Sequence, residues 1–407
     1  MWLLLLAIIA VLLCFLLALF YLHIPLPAEF ADHQHFTKMD IAMRLLLSYP
    51  ANVVDFLFGS KMRIKYFRFL LDQMFGFQKP NLSGLEVVND SIGDVRVRIY
   101  TPHQKQSRGA LVFFHGGGWV AVKPEFYDVL LASLVRRLGV TVISVDYRLA
   151  PEHPFPAPVD DCERVVKDLY ENSYEKFDID REKLCIVGDS AGGNLAAVVA
   201  QRFARRNEHF IKCQVLIYPV IHVFGFCLPS YQEYYENFSY NGSAILSPIE
   251  MARIMLLYLD MPATKRNVEL LTAGQHIPDK LRASEEFRDL NSNNSDSTLH
   301  KQLHAKVAEP DENEKIQLRA FATKGSDPDV SPLFGVRSDL PPAMVVSAEF
   351  DVLRDEAIQY AKKLQKEKIP CEWKHYKTAC HGVCSIPRSS VKRDIIADVC
   401  SFLKTHL

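Results

Sequence analysis

Five short runs rich in valine and isoleucine, spaced by stretches of helical character, constrain this chain more than any other feature. They are "GALVFF" (109–114), "VTVISVDY" (140–147), "KLCIVG" (183–188), "CQVLIYP" (213–219) and "PAMVVSAE" (342–349). A sixth, "DVRVRIY" (94–100), alternates apolar and polar residues as a half-buried strand does. Residues 126–137, 160–171 and 191–206 between these runs, and "DEAIQYAKKLQKE" after the last, have helical spacing. Apolar strands alternating with helices predict an α/β fold: a mostly parallel central sheet with helices on both faces. That core occupies 90–220 and 325–407.

The alternation fails between them, over 221–324. An insertion of that length between two strands of one sheet is usually a lid or a surface extension. Residues 221–275, with the apolar helical piece "SPIEMARIMLLYL" (247–259), read as a helical cap, and 280–320 as a flexible polar extension of it.

Residues 1–22 carry no charged side chain, close to the roughly 20 residues a helix needs to cross a bilayer. A cleaved signal peptide would show a basic lead and a small-x-small site, and neither is clear here. An uncleaved transmembrane signal anchor is therefore expected. Residues 23–89 read as N-terminal helices contributing to the cap. Within them, 39–78 predicts two short amphipathic helices broken near Pro50 and Gly59, whose apolar faces either pack on the main domain or touch the membrane and line a lipid entrance.

Lysine plus arginine (47) balances aspartate plus glutamate (48) in 407 residues, which removes the basic footprint of a nucleic-acid-binding protein. The nine cysteines show no CxxC spacing, so no metal site is expected, and their odd number leaves at least one thiol unpaired within a monomer. N-x-S triplets at Asn81, Asn89, Asn237, Asn241 and Asn293 are glycosylation candidates that fit a lumenal body.

The chemistry gathers around Gly188-Asp189-Ser190-Ala191-Gly192, which follows an apolar strand and opens an alanine-rich helix. Small neighbours let the chain turn sharply there and present the serine hydroxyl, the form of a nucleophile elbow. Serine needs a base, and the base needs an orienting acid. In this arrangement they follow in the order serine, acid, histidine, each just past a strand. Asp351 and His381 satisfy that order better than Glu349, Asp355 or His375, which fall inside a strand or at a helix start. "HGGGW" (115–119) lacks the spacing of a nucleotide-binding loop. It fits an oxyanion hole instead, built at His115, Gly116, Gly117 and Gly118 with the N–H of Ala191 as the second donor.

These residues, with DYRLAPEHPFPAP (146–158), DPDVSPL (327–333), DVLRDE (351–356) and HGV (381–383), resemble the hormone-sensitive-lipase-like (GDXG) α/β-hydrolases, above all their arylacetamide deacetylase-like members. The resemblance implies an α/β-hydrolase fold and a carboxylesterase or neutral-lipid hydrolase acting on small lipophilic or lipid substrates. It further implies a cap that selects the acyl group, and a single-pass type II anchor with the catalytic domain in the endoplasmic reticulum lumen. By position it assigns the triad to Ser190, Asp351 and His381, with no cofactor, and gives Tyr147 and Arg148 to Pro151 a bracing role beside the glycines. The reading is a membrane-anchored serine esterase cleaving ester or aryl amide bonds. Its rivals are a ligand-binding protein on the same scaffold and a peptidase.

Overall fold

Residues 26–76, 80–233, 246–284 and 307–407 are described by a computed structural model, together with isolated positions before residue 26 that are helical and exposed. The expected anchor over 1–22 otherwise lies outside the described residues, as do Asn237, Asn241, Asn293 and the central part of the polar extension.

Eight strands form one sheet: β1 (Leu85–Ile92), β2 (Val95–Pro102), β3 (Ala110–Phe114), β4 (Thr141–Val145), β5 (Leu184–Asp189), β6 (Ile211–Ile217), β7 (Ala343–Phe350) and β8 (Cys371–Cys380), in the order β1-β2-β4-β3-β5-β6-β7-β8. The pairs β1/β2 and β2/β4 are antiparallel, and every later pair is parallel. All residues of β3, β4 and β5 are buried. Their mostly apolar sequences, without alternation of polar and apolar residues, are what a strand covered on both faces requires. β1, unforeseen in the sequence, is an edge strand with a largely exposed, polar middle.

Among the described residues from 26 onward, two helices precede the sheet: α1 (His33–Phe58) and α2 (Ser60–Gly76). Within the sheet region lie α3 (Asp128–Leu138), α4 (Ala157–Asp168) and α5 (Ala191–Arg205). Then come α6 (Pro248–Tyr258), α7 (Lys265–Thr272), α8 (Glu312–Gly325), α9 (Arg354–Lys366) and α10 (Ser390–Lys404). Crossover helices of parallel strands must return along the sheet faces, so the strands' carboxyl ends share one edge. That edge carries the loops after β3, β5, β7 and β8, and α6 and α7 stand over it.

The expected break near Pro50 is not found. The helix runs through to Phe58, because a π turn at Arg44–Ser48 widens it just ahead of the proline ring and relieves the clash with the preceding turn. The chain does break at Gly59, where φ is +80°. The irregular reading of 280–320 also fails at its far end, where α8 begins at Glu312. Asp311 caps the Glu314 N–H while the Glu314 carboxylate accepts from the Asp311 N–H, a reciprocal capping box.

Candidate active site

Ser190 sits between β5 and α5 with φ +55° and ψ −121°, a conformation that costs a non-glycine residue about 1–3 kcal/mol. The neighbourhood holds it there. Its N–H donates to the Ile217 carbonyl at 2.9 Å, and its own carbonyl accepts from Asn194 and Val220. A Cβ on Gly188 would overlap the Gly192 carbonyl, and one on Gly192 would overlap the Phe114 carbonyl. Only glycine lets α5 start so close to β3 and β5.

His381 follows β8 and reaches Ser190 Oγ with Nε2 at 3.0 Å. Its Nδ1 lies 2.8 Å from Asp351 Oδ2. A carboxylate only accepts, so Nδ1 carries the proton and Nε2 is left as acceptor for the serine hydroxyl. Asp351 is buried, and its second oxygen accepts from the Leu353 N–H at 2.9 Å. The competing residues are engaged elsewhere. Glu349 meets His375 and Arg354, and Asp355 accepts from Ser230 N–H while pairing with Arg354.

The glycine loop divides into two parts. Gly117 (φ +98°) and Gly118 (φ +63°) line the cavity over Ser190, and their N–H groups have no acceptor among the described residues; the Ala191 N–H, at the start of α5, is likewise unspent. A side chain at Gly117 would strike the Ala121 carbonyl. His115 and Gly116 stand behind these donors rather than among them. The Gly116 N–H is shared between Asp189 Oδ1 at 2.8 Å and the Tyr127 hydroxyl at 3.0 Å. Burial holds the His115 imidazole down at about 4, so it is neutral, stacked on Tyr147 at 4.2 Å. The Tyr147 hydroxyl donates to the His115 carbonyl at 2.7 Å, and the Ala150 N–H to the Trp119 carbonyl at 2.9 Å. Arg148 clamps Asp161 through two guanidinium nitrogens, fixing that brace to α4.

Asp189 is the site residue that sequence reasoning passed over. It is buried beside the nucleophile, and besides Gly116 it takes a hydrogen bond from the Tyr127 hydroxyl at 3.0 Å. Burial raises its carboxyl to about 6, with the donors around it pulling the other way. Its signal was its place inside Gly-Asp-Ser.

Above Ser190 opens a cavity of about 1430 Å³, larger than the 300–1,000 Å³ common for small-molecule sites. Phe36, Leu47 and Ile64 line it from α1 and α2, and Ile254, Leu257 and Val268 from α6 and α7. Four charged groups tie these helices together. Glu250 of α6 receives Arg63 of α2 at 2.7 Å and Arg253 at 2.6 Å, and Arg253 also reaches Asp55 of α1 at 3.1 Å. Trp119 stacks on Tyr258 at the end of α6, with ring centroids 4.1 Å apart.

A family model described as the alpha/beta hydrolase fold matches residues 111–277 and 278–385. The chain belongs to the α/β-hydrolase family. Within it, this hydrolase falls with the arylacetamide deacetylase-like members and is a carboxylic ester hydrolase. Arylacetamide deacetylase of Bos taurus is 31% identical over 375 residues, covering 89% of this chain and 90% of the relative. Neutral cholesterol ester hydrolase 1 of Mus musculus is 30% identical over 382 residues, covering 90% of each. Among solved structures, an esterase of Pyrobaculum calidifontis superposes with a TM-score of 0.62 at 28% identity, covering 84% of this hydrolase and 92% of that chain.

Asn81 and Asn89 are exposed, at the approach to β1 and within it. The eight described cysteines all carry free thiols.

Proposed function

We propose that this hydrolase is a membrane-anchored serine carboxylesterase that cleaves esters of bulky lipophilic alcohols or acids through an acyl-enzyme. The observation that carries the reading is the unbroken relay Ser190–His381–Asp351 at the floor of a large, apolar-lined cavity. His381 Nε2 takes the Ser190 proton as Oγ attacks the ester carbonyl, and Asp351 stabilises the imidazolium that forms. The negative charge on the carbonyl oxygen is met by the N–H groups of Gly117, Gly118 and Ala191, where the positive end of α5 also points. Collapse expels the alcohol, which takes the proton from His381. Water, deprotonated by the same nitrogen, then releases the acid.

The volume of the cavity supports a substrate larger than a short acetyl ester. An aryl amide fits the same chemistry, since the relay can protonate an amine leaving group. Residues 221–324, together with α1 and α2, act as the cap that selects the acyl group; the end of the expected 23–89 helical segment instead belongs to β1 of the sheet. The uncharged run over 1–22 supplies the anchor, and the exposed Asn81 and Asn89 favour a body in the endoplasmic reticulum lumen.

A fluorophosphonate probe should label the native protein and leave Ser190→Ala unlabelled; equal labelling of both sinks the nucleophile. p-Nitrophenyl esters of rising chain length then measure the acyl preference. Endoglycosidase treatment of the expressed protein should increase its gel mobility, and no change would speak against a lumenal body.

A further inference from the structure

The outward face of α1 inverts the usual order. A helix lying on a soluble body turns its apolar side chains in and its charges out. In α1 the buried side carries an ion pair, Asp40 with Arg44 at 2.8 Å, among Phe36, Leu47 and Ala51. The exposed side presents Leu45, Leu46, Val53, Leu57 and Phe58, with Phe56 88% and Phe58 68% exposed. α2 continues the surface with exposed Met62 and Phe69, and Lys61 and Lys65 are exposed on the same stretch of the helix. Past α2, exposed large apolar side chains occur singly among the described residues: Val88, Val129, Ile316 and Trp373. One concentrated patch against a scattered background marks an interaction surface.

Two further observations identify what covers it. First, the patch and the cavity share an edge. Phe56 is exposed at the surface and also lines the cavity above Ser190, with Asn52 and Lys61 next to it. Second, the uncharged run ends at Leu22, and the chain is already fixed to the body at Phe30, which packs on Phe36 and Phe350, and at Ala31, whose N–H donates to the Thr378 carbonyl. The eight residues from Leu22 to Phe30 reach at most about 29 Å even when fully extended. An anchor there keeps the start of α1 within that reach of the bilayer surface.

We propose that the outer face of α1 and α2 is a docking surface that seats in the outer acyl region of a lipid bilayer and opens the cavity sideways to membrane-dissolved esters. This rests on the anchored-esterase reading above. The apolar stripe enters the acyl boundary, and Lys61 and Lys65 extend to the headgroups, as basic side chains flanking an interfacial helix do. An ester then moves from lipid past Phe56 to Ser190 without crossing water.

The test uses the full chain reconstituted in phosphatidylcholine vesicles with doxyl-labelled lipid. Phe58→Trp is compared with the unchanged protein, whose three tryptophans set the baseline. The added emission should be blue-shifted and quenched by the doxyl lipid. A water-exposed, unquenched emission overturns the proposal, and so does a spectrum buried against a second copy of the chain that the lipid quencher does not reach. The activity arm uses Leu45→Ser/Leu46→Ser/Leu57→Ser. Hydrolysis of a long-chain ester dissolved in the vesicles should fall about tenfold or more, while a water-soluble short ester changes less than about twofold. Equal rates of the variant and the unchanged protein on the vesicle ester overturn the docking role. Should that variant fail to fold, the Phe58→Trp quenching decides alone. The readings beneath fail separately: the anchor if alkaline carbonate strips the unchanged protein from membranes, the chemistry if Ser190→Ala still labels.

Discussion

The Gly116 N–H donates to the Asp189 carboxylate at 2.8 Å, tying the glycine loop after β3 to the end of the strand that leads into the nucleophile. Asp189 thereby sets the distance between the two halves of the oxyanion site, since Ala191 lies on its own segment and Gly117 next to its partner. The tie is doubled by Tyr127, whose hydroxyl touches both the Gly116 N–H and Asp189 Oδ2 at 3.0 Å.

Asp189→Ala removes the common acceptor and leaves the Gly116 N–H and the Tyr127 hydroxyl with only their contact to each other, so the loop loses its tie to β5. kcat on a p-nitrophenyl ester should drop about 10²-fold, the scale of losing one oxyanion donor, with KM little changed. Asp189→Asn keeps an oxygen for the Gly116 N–H and should lose no more than about tenfold. Fluorophosphonate labelling should persist, more slowly, in both. If Asn proves as damaging as Ala, the hydrogen bond to Gly116 is not what matters.

Asp351→Asn replaces the acceptor that holds His381 Nδ1–H with a group that can present an amide donor. The imidazole then turns its proton toward Ser190 and cannot act as base. kcat should fall about 10³–10⁴-fold with the fold intact. Circular dichroism and kcat measured on one preparation check this, and a variant within tenfold of wild type would move the acid elsewhere.

The parallel core and the order serine, acid, histidine were legible because both rest on local sequence: apolar runs make strands, and residues just past parallel strands must share an edge. β1 was not legible, because Asn89, Asp90 and Ser91 give its second half the look of a turn, and only pairing with β2 extends it. The sequence also could not show which N–H groups of the glycine row are free. The Gly116 N–H is spent on a carboxylate 73 positions away, a contact that exists only after the sheet forms. The cavity was hidden for the same reason, since Leu47 and Leu257 line one space but lie far apart in the chain.

Glu250 joins α6 to α1 and α2. Burial alone would raise its carboxyl, but Arg63 and Arg253 outweigh that and hold it at about 2. Glu250→Ala leaves Arg63 without its carboxylate and Arg253 with Asp55 alone, and breaking this partly buried cluster costs less than the loss of a fully buried pair, about 1–3 kcal/mol. Tm should fall, and amide exchange should quicken in α6. KM for long-chain esters should rise more than for short ones as the wall loosens. The sign for pH follows: the contribution is complete above the ordinary 4.5 of a glutamate and is lost as pH falls toward 2. Glu250→Gln should therefore remove part of the acid sensitivity of stability, and an unchanged acid-unfolding midpoint would show that the cluster does not hold the helices.

Glu356 behaves in the opposite way. From the first turn of α9 it accepts from the Ile221 and His222 N–H groups, at 2.8 and 3.1 Å, and from the Tyr231 hydroxyl at 2.8 Å, fixing the segment that leaves β6 for the cap. Burial pushes its carboxyl up to about 8, against the pull of those donors. Between the ordinary 4.5 and about 8 the folded protein keeps a proton that the unfolded chain has released. Stability must then fall as pH rises across that window, by up to about 1.4 kcal/mol per pH unit from this group. Glu356→Gln keeps an oxygen for the two backbone donors and places an amide beside Tyr231, but cannot ionise. Denaturant unfolding of the full chain in detergent, repeated from about pH 5 to 8, should show the wild-type slope and its loss in Glu356→Gln. A slope identical in the two proteins would mean that Glu356 is ionised in the folded state, with its three donors outweighing burial.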